Sequence, residues 1–417
     1  MRIKRFITVC AVLGIAAFAF SKPNAKEQAS TWWVIQSIDT MKYSRDPSRE
    51  KLKDPSYDRV IDGQVRQIAE MGATHVAIGT PYDEEFVPIM KRWVSAARRY
   101  GLNVWFRGNF SGWEKWFGYA SISRDEHKIK TAEFIRNHAD LFADGDIFTP
   151  CPECENGGPG DPRRNGDVAG HKVFLKELHQ VAKDGFSAIG KNVESGLFSM
   201  NGDVARLIMD PETTKALGGV VVVDHYVASP KQLKEDIIAL AKQSGGQIVL
   251  GEFGVPIPDL HGNMNEEAQA AWIGEALRAV SGVPEVIGIN YWTSVGGSTR
   301  LWEGDGKARL AVQVLKLFFT PKIVRGTILN EIRQPIAQSI ISSTYRYATS
   351  GRDGKFVLPY LDERVTISVQ APGYDTKQVQ AGDGNQEITV PLVKREESFW
   401  FKIQKFLHRL TGRVIIL

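Results

Sequence analysis

The chain has 417 residues, enough for one domain of roughly 250–300 residues with a smaller companion and too many for a single small module. Hydrophobic residues make up 43% and charged residues 24%, a composition that sustains a packed core and excludes wholesale disorder. The 52 basic and 48 acidic residues leave +4, too small and too evenly spread an excess for nucleic acid to be the main partner, and three cysteines exclude a disulfide-built scaffold.

The N-terminus opens with Met1-Arg2-Ile3-Lys4-Arg5 and continues from Phe6 to Phe20 as an almost unbroken apolar run. That run is short for a membrane span and suits the hydrophobic region of an export signal. Cleavage after Ala19 or Ala25 places a signal peptide at 1–25 and the mature protein outside the cytoplasmic membrane, secreted or periplasmic and cell-surface. An uncleaved anchor is the alternative reading.

Between residues 31 and 321, short β-branched or apolar runs alternate with stretches of helical period. The predicted strands are Trp33–Ile38, Thr74–Gly79, Asn103–Arg107, Asp146–Pro150, Gly196–Ser199, Val220–Asp224, Ile248–Glu252 and Ile287–Tyr291. Their starts average about 36 residues apart, the period of a βα unit with a working loop. Ser229-Pro230-x-Gln232 predicts a capped helix start, with Gly245-Gly246 ending that helix. Asn263-x-x-Glu266 predicts another start, and Lys307–Phe318 a last helix. Eight such units, with no glycine-rich turn after the first strand, predict an α/β fold: a closed (β/α)8 TIM barrel.

After Pro321 the pattern changes. Residues 326–393 alternate as strands do in Arg364-Val365-Thr366-Ile367-Ser368-Val369. Turn signals stand at Gly351-Arg352-Asp353-Gly354 and Asp383-Gly384, and Ile388-Thr389-Val390 is a further short run. These predict a small C-terminal all-β sandwich. Residues 394–417 read as an amphipathic tail with Phe399, Ile403, Phe406, Leu407 and Leu410 on one face. Such a face packs on the protein itself, pairs with another chain, or makes peripheral membrane or cell-surface contact.

In a barrel of this kind the reactive side chains gather at the strand C-termini. Those positions hold Asp39, Tyr82 and Asp83, Arg107 and Asn109 with Trp113 beyond, Glu153 and Glu155, Asn201, Asp224 with His225 and Tyr226, Glu252, and Trp292. No row of metal-ligating histidines and no phosphate-binding loop appears, so neither a metal nor a cofactor is expected. Carboxylates on different strands, flanked by aromatics and one arginine, are what protonating an ether oxygen on a polyhydroxylated ring needs. The C-x-x-C pair Cys151 and Cys154 reads as a local disulfide shaping its loop or as two packed thiols, and two ligands alone are a weak zinc signal.

The barrel resembles a retaining glycoside hydrolase of the superfamily that contains cellulases, mannanases and endo-galactanases. Val249-Leu250-Gly251-Glu252-Phe253-Gly254 is similar to that family's nucleophile motif. The resemblance implies Glu252 as nucleophile, a strand-four glutamate as acid/base, and substrate-site roles for Arg107, His225, Tyr226 and Trp292, to which the strand-end positions add Asn109, Trp113 and Asp224. Within that site, Tyr226 would hydrogen-bond the nucleophile and Trp292 would floor the sugar site. The usual Asn-Glu-Pro of strand four is replaced by Cys151-Pro152-Glu153-Cys154-Glu155-Asn156, which leaves Glu153, preferred for falling sooner after the strand, or Glu155 as the acid/base. Gly326, Pro335-Ile336-Ala337, the Thr349 to Pro359 stretch and Ala371-Pro372-Gly373-Tyr374 resemble the regulatory-like domain found beside carboxypeptidases. The expected function is double-displacement cleavage inside a β-linked polysaccharide. An exo-acting enzyme on oligosaccharides and an inactive glycan-binding barrel are the alternatives.

Overall fold

A computed structural model describes residues 31–382 and 386–396. The export signal at 1–25, the turn at Asp383-Gly384 and the tail from 397 onward lie outside the described residues. Eight parallel strands form one curled sheet: β1 (Ile35–Asp39), β2 (His75–Ile78), β3 (Asn103–Phe106), β4 (Ile147–Phe148), β5 (Ser199–Asn201), β6 (Val220–Asp224), β7 (Gln247–Phe253) and β8 (Val286–Tyr291). β1 pairs with both β2 and β8, and the order runs β4-β3-β2-β1-β8-β7-β6-β5. The ring closes between β4 and the segment before β5, where the Phe148 N–H donates to Glu194 O (2.8 Å) and Glu194 N–H to Asp146 O (3.0 Å). The architecture is the (β/α)8 barrel that the sequence period predicts.

Strand periodicity explains the two cores. Inward side chains Ile35, Ala77, Trp105, Ile147, Val220, Val222 and Val249 fill the barrel axis. Val221, Val223, Ile248 and Leu250 alternate outward against the helices. The helix Pro230–Ser244 starts where predicted, Ser229 accepting from Gln232 N–H at 3.2 Å, and ends at Gly245 with φ 65°.

Three predicted boundaries are corrected. The fifth strand is Ser199–Asn201, because Phe198 N–H turns back to Gly196 O and pairing with β6 begins only at Ser199. The helix expected from Asn263 begins at Glu266, capped by Asn265, whose side chain accepts from Ala268 N–H. The last barrel helix is Leu310–Phe319, since the Lys307 N–H is taken by the Asp305 side chain.

Strands β9 (Lys322–Leu329), β12 (Lys355–Tyr360) and β15 (Gln386–Pro391) form one further sheet. β10 (Ile340–Ser342), β11 (Tyr347–Thr349), β13 (Arg364–Gln370) and β14 (Lys377–Gly382) form another. Val324, Phe356, Leu358 and Val390 of the first share a buried core with Ile341, Val365, Ile367 and Val369 of the second. This C-terminal part meets the barrel at the end where the strands begin. Arg346 donates to Trp32 O and lies 4.6 Å from the Trp32 ring centroid, and Tyr345 packs against the barrel core. It therefore sits opposite the end that carries Glu252.

Candidate active site

Arg107, one residue beyond β3, is fully buried over the Trp105 ring (5.5 Å) and organises the top of the barrel. Its Nη1 donates to Asp39 Oδ2 (3.1 Å) and Gly251 O (2.6 Å). Its Nη2 donates to Ser199 Oγ (3.1 Å), Asp224 Oδ2 (3.3 Å) and Glu252 Oε1 (3.2 Å). One guanidinium thus ties together the ends of strands β1, β5, β6 and β7. Tyr226 donates its hydroxyl to the other carboxylate oxygen, Glu252 Oε2, at 2.9 Å. Gly251 is required here, since a Cβ would lie 2.4 Å from Asp224 Oδ1.

Glu153 reaches the same point from the β4 loop. One carboxylate oxygen from each of Glu153, Asp224 and Glu252 lies within 4.8 Å of the others. Burial pushes Glu252 up to about 7, against the pull of Arg107, and the Glu153 charge pushes the same way. Glu153 is raised by burial first and by Glu155 second. Asp224 is driven well above the usual carboxylate range by burial, against the pull of Arg107. Two carboxyls this close do not both ionise readily. Glu252 accepts from Arg107 and Tyr226, whereas among the described residues no cation donates to Glu153, so the geometry favours the anion on Glu252 and the proton on Glu153.

Glu155 is placed differently. Its Oε1 accepts from the Asn201 main chain (2.8 Å) and side-chain amide (3.0 Å), and it is 2% exposed. Glu155→Gln, which keeps the acceptor for Asn201, is expected to leave the rate within about fivefold of wild type. A loss as large as that of the equivalent Glu153 variant, in the same assay, would overturn this placement.

Three residues expected to contact substrate have other partners in the structure. His225 turns its Nε2 to Asp236 Oδ2 (2.8 Å) on the outer helix Pro230–Ser244, with its ring against Gly202. Trp113 is 1% exposed, stacked on Phe174 (5.1 Å between centroids) and donating Nε1 to Cys154 O (3.1 Å), so it supports the β4 loop from below. Asn109 is fully buried, donating to Glu114 Oε1 (2.6 Å) and holding His127 Nε2 at 2.9 Å through Oδ1. Arg107 and Asp224 sit beneath the carboxylates as positioning groups. Trp292 is half-buried at the mouth, edge-to-face with Tyr226 (6.4 Å), with Lys42 Nζ 5.6 Å from its ring centroid. Cys151 and Cys154 form a disulfide.

Sequence reasoning passed over Asn290, Ser199 and Glu114. Asn290 Nδ2 donates to Gly251 O (2.8 Å) and Asp39 Oδ2 (3.3 Å), and a polar residue inside the apolar β8 run was its signal. Glu114, pushed up to about 8 by burial, ends the one-turn helix Ser111–Glu114, where nothing in the sequence distinguishes it from a surface acid.

No family model and no curated protein matches the chain. Among solved structures, it is similar to a GH5_18 protein of Bifidobacterium longum in complex with Manβ1-4GlcNAc, at 15% identity and TM-score 0.53 over 72% of this chain and 84% of that one. It is also similar to the GH5_18 protein of Streptomyces cattleya in complex with GlcNAc, at 16% identity and TM-score 0.54 over 72% of this chain and 85% of that one. These likenesses are of the barrel fold.

Proposed function

We propose that this chain is a retaining glycoside hydrolase acting on β-linked glycans, with Glu252 as nucleophile and Glu153 as acid/base. The observation that carries the reading is the pair itself. The two carboxylate oxygens approach within 4.8 Å, and only Glu252 is held by Arg107 and Tyr226. Retaining enzymes place their carboxyl groups roughly 5–5.5 Å apart, leaving no room for a water between acid and sugar.

In the first step Glu252 Oε attacks the anomeric carbon while the Glu153 proton passes to the departing glycosidic oxygen. Glu153, now ionised, then takes a proton from water as that water displaces Glu252 from the glycosyl-enzyme. Esterification removes the Glu252 charge, so the Glu153 pKa falls when it must become a base. Trp292 offers the sugar an apolar face at the mouth. An extracytoplasmic site of action belongs to this reading, supported by the charged and then apolar N-terminus and by the Cys151–Cys154 disulfide. So does an accessory role for residues 326–393 as a carboxypeptidase regulatory-like sandwich, supported by their two sheets around one core, away from the cleft.

The neighbours bound to Manβ1-4GlcNAc and GlcNAc make that disaccharide and β-mannan the first substrates to try, followed by β-glucan, xylan and galactan. Release of reducing ends from one of them, with the first-formed product of β configuration by NMR, is expected. An α product would exclude double displacement. The rate should follow a bell-shaped pH curve whose acid limb reports Glu252. Glu153 must keep its proton to act as the acid, so Glu153→Gln should remove the basic limb on an activated aryl glycoside while leaving the acid limb in place.

A further inference from the structure

The geometry points to the Cys151–Cys154 disulfide as the device that aims Glu153 at the glycosidic oxygen, an inference that rests on the hydrolase reading above. Glu153 has φ 43° and ψ 50°, the left-handed region that residues with a β-carbon rarely occupy. Left-handed backbone at one residue redirects its Cα–Cβ bond, and here it brings the Glu153 carboxylate to within 4.8 Å of Glu252 and Asp224. Among the described residues no cation donates to the side chain, which hydrogen-bonds with Asn156 of its own loop, so its direction follows from the course of the loop main chain. Two main-chain hydrogen bonds flank it: Glu153 N–H donates to Ser199 O, and Asn156 N–H donates to Glu153 O, each at 2.8 Å.

The bridge closes a ring that contains only Pro152 and Glu153 between its ends. Pro152 has its φ set by its own ring. With both ends of the segment joined, Glu153 cannot relax to right-handed backbone without moving a cysteine. Neither cysteine is free to move. Cys151 is fully buried, with Asn109 Nδ2 3.6 Å from its Sγ, and Cys154 is 3% exposed, with its carbonyl oxygen held by Trp113 Nε1. Gly157 and Gly158 press against Trp113 so closely that a Cβ at either would fall within 2.5 Å of it, so the far side of the loop is also held. Where the resembled enzymes have an Asn-Glu-Pro turn, this chain has a covalent clamp, and Cys151 and Cys154 are positioning residues for the acid.

The test is a double-mutant cycle between the clamp and the acid, in the full chain. Cys151→Ala/Cys154→Ala, Glu153→Gln and the triple variant are each measured on two β-glycosides of the sugar that the wild type cleaves. One is a 2,4-dinitrophenyl glycoside, whose leaving group needs no proton; the other is an alkyl glycoside, whose leaving group does. With Glu153 present, loss of the bridge is expected to lower kcat on the alkyl glycoside about a hundredfold and kcat/KM on the dinitrophenyl glycoside less than about threefold. With Glu153→Gln, loss of the bridge should change neither. Equal losses on both substrates, or the same loss with and without Glu153, would assign the bridge to general stability and overturn the proposal, as would no loss at all. If the alanine variant does not fold, wild-type chain refolded under dithiothreitol, with its thiols counted, is measured in the same way. A wild-type chain that cleaves no β-glycoside sinks the hydrolase reading instead, and that outcome is separate from any result of the cycle.

Discussion

Glu252→Gln should abolish glycan hydrolysis, lowering kcat on the order of 10⁴-fold, because an amide cannot form the glycosyl-enzyme. The same substitution should stabilise the folded chain at alkaline pH. Glu252 sits at about 7 in the folded protein, above the roughly 4.3 of an unfolded glutamate. The unfolded chain therefore releases this proton first, and stability drains away as pH rises from about 4 to about 7. A glutamine has no proton to lose, and it retains an oxygen for Tyr226 or Arg107. Thermal unfolding should put the variant above wild type at pH 8 and level with it at pH 4. Together the two results separate a residue kept for chemistry from one kept for the fold. More than a tenth of wild-type activity in the variant would remove Glu252 from the mechanism.

The second large effect is on stability. Among the described residues Arg107 is the only cation hydrogen-bonded to the Asp39, Asp224 and Glu252 carboxyls, and it is fully buried. Arg107→Met should cost about 3–5 kcal/mol, the usual result of removing one partner from a buried ionic cluster. For a barrel of this size that is a fall of roughly 5–8 °C in Tm. The loss has a definite pH dependence. Without the guanidinium the folded-state pKa values of Glu252 and Asp224 rise further, since Arg107 lowers both. Raised folded values weaken stability above the unfolded pKa, so the deficit should be largest at pH 8 and shrink towards pH 4. A variant melting within about 2 °C of wild type at pH 8 would mean that the cluster carries no net stabilisation.

How much of this was legible in the chain depends on how local each signal is. Strand positions and the barrel order followed from short apolar runs at a near-constant period, and each run found its predicted place to within a few residues because burial on both faces allows no other pattern. The end of β7 was equally readable as a place where an acid follows an apolar run, although it is a register shift after Leu250 that turns Glu252 to the inside, against the alternation of Val249 and Leu250. Strand ends followed by irregular loops were not readable in this way. Nothing in the linear order shows that Asn109 is spent on Glu114 and His127, that Trp113 faces Phe174, or that His225 turns outward to Asp236.

The choice between Glu153 and Glu155 shows the division most clearly. In sequence they are equivalent, two acids separated by a cysteine at the end of one strand. By itself the sequence determined a parallel barrel, its register of inward and outward residues, and the strand ends at which acids collect, because periodicity and burial act over a few neighbouring positions. Only the tertiary structure decided which acid faces Glu252. That choice depends on the left-handed backbone at Glu153, on Asn201 arriving from β5 to occupy Glu155, and on Arg107 drawing four strands together. These contacts join residues 46 to 145 positions apart, and no local propensity encodes them.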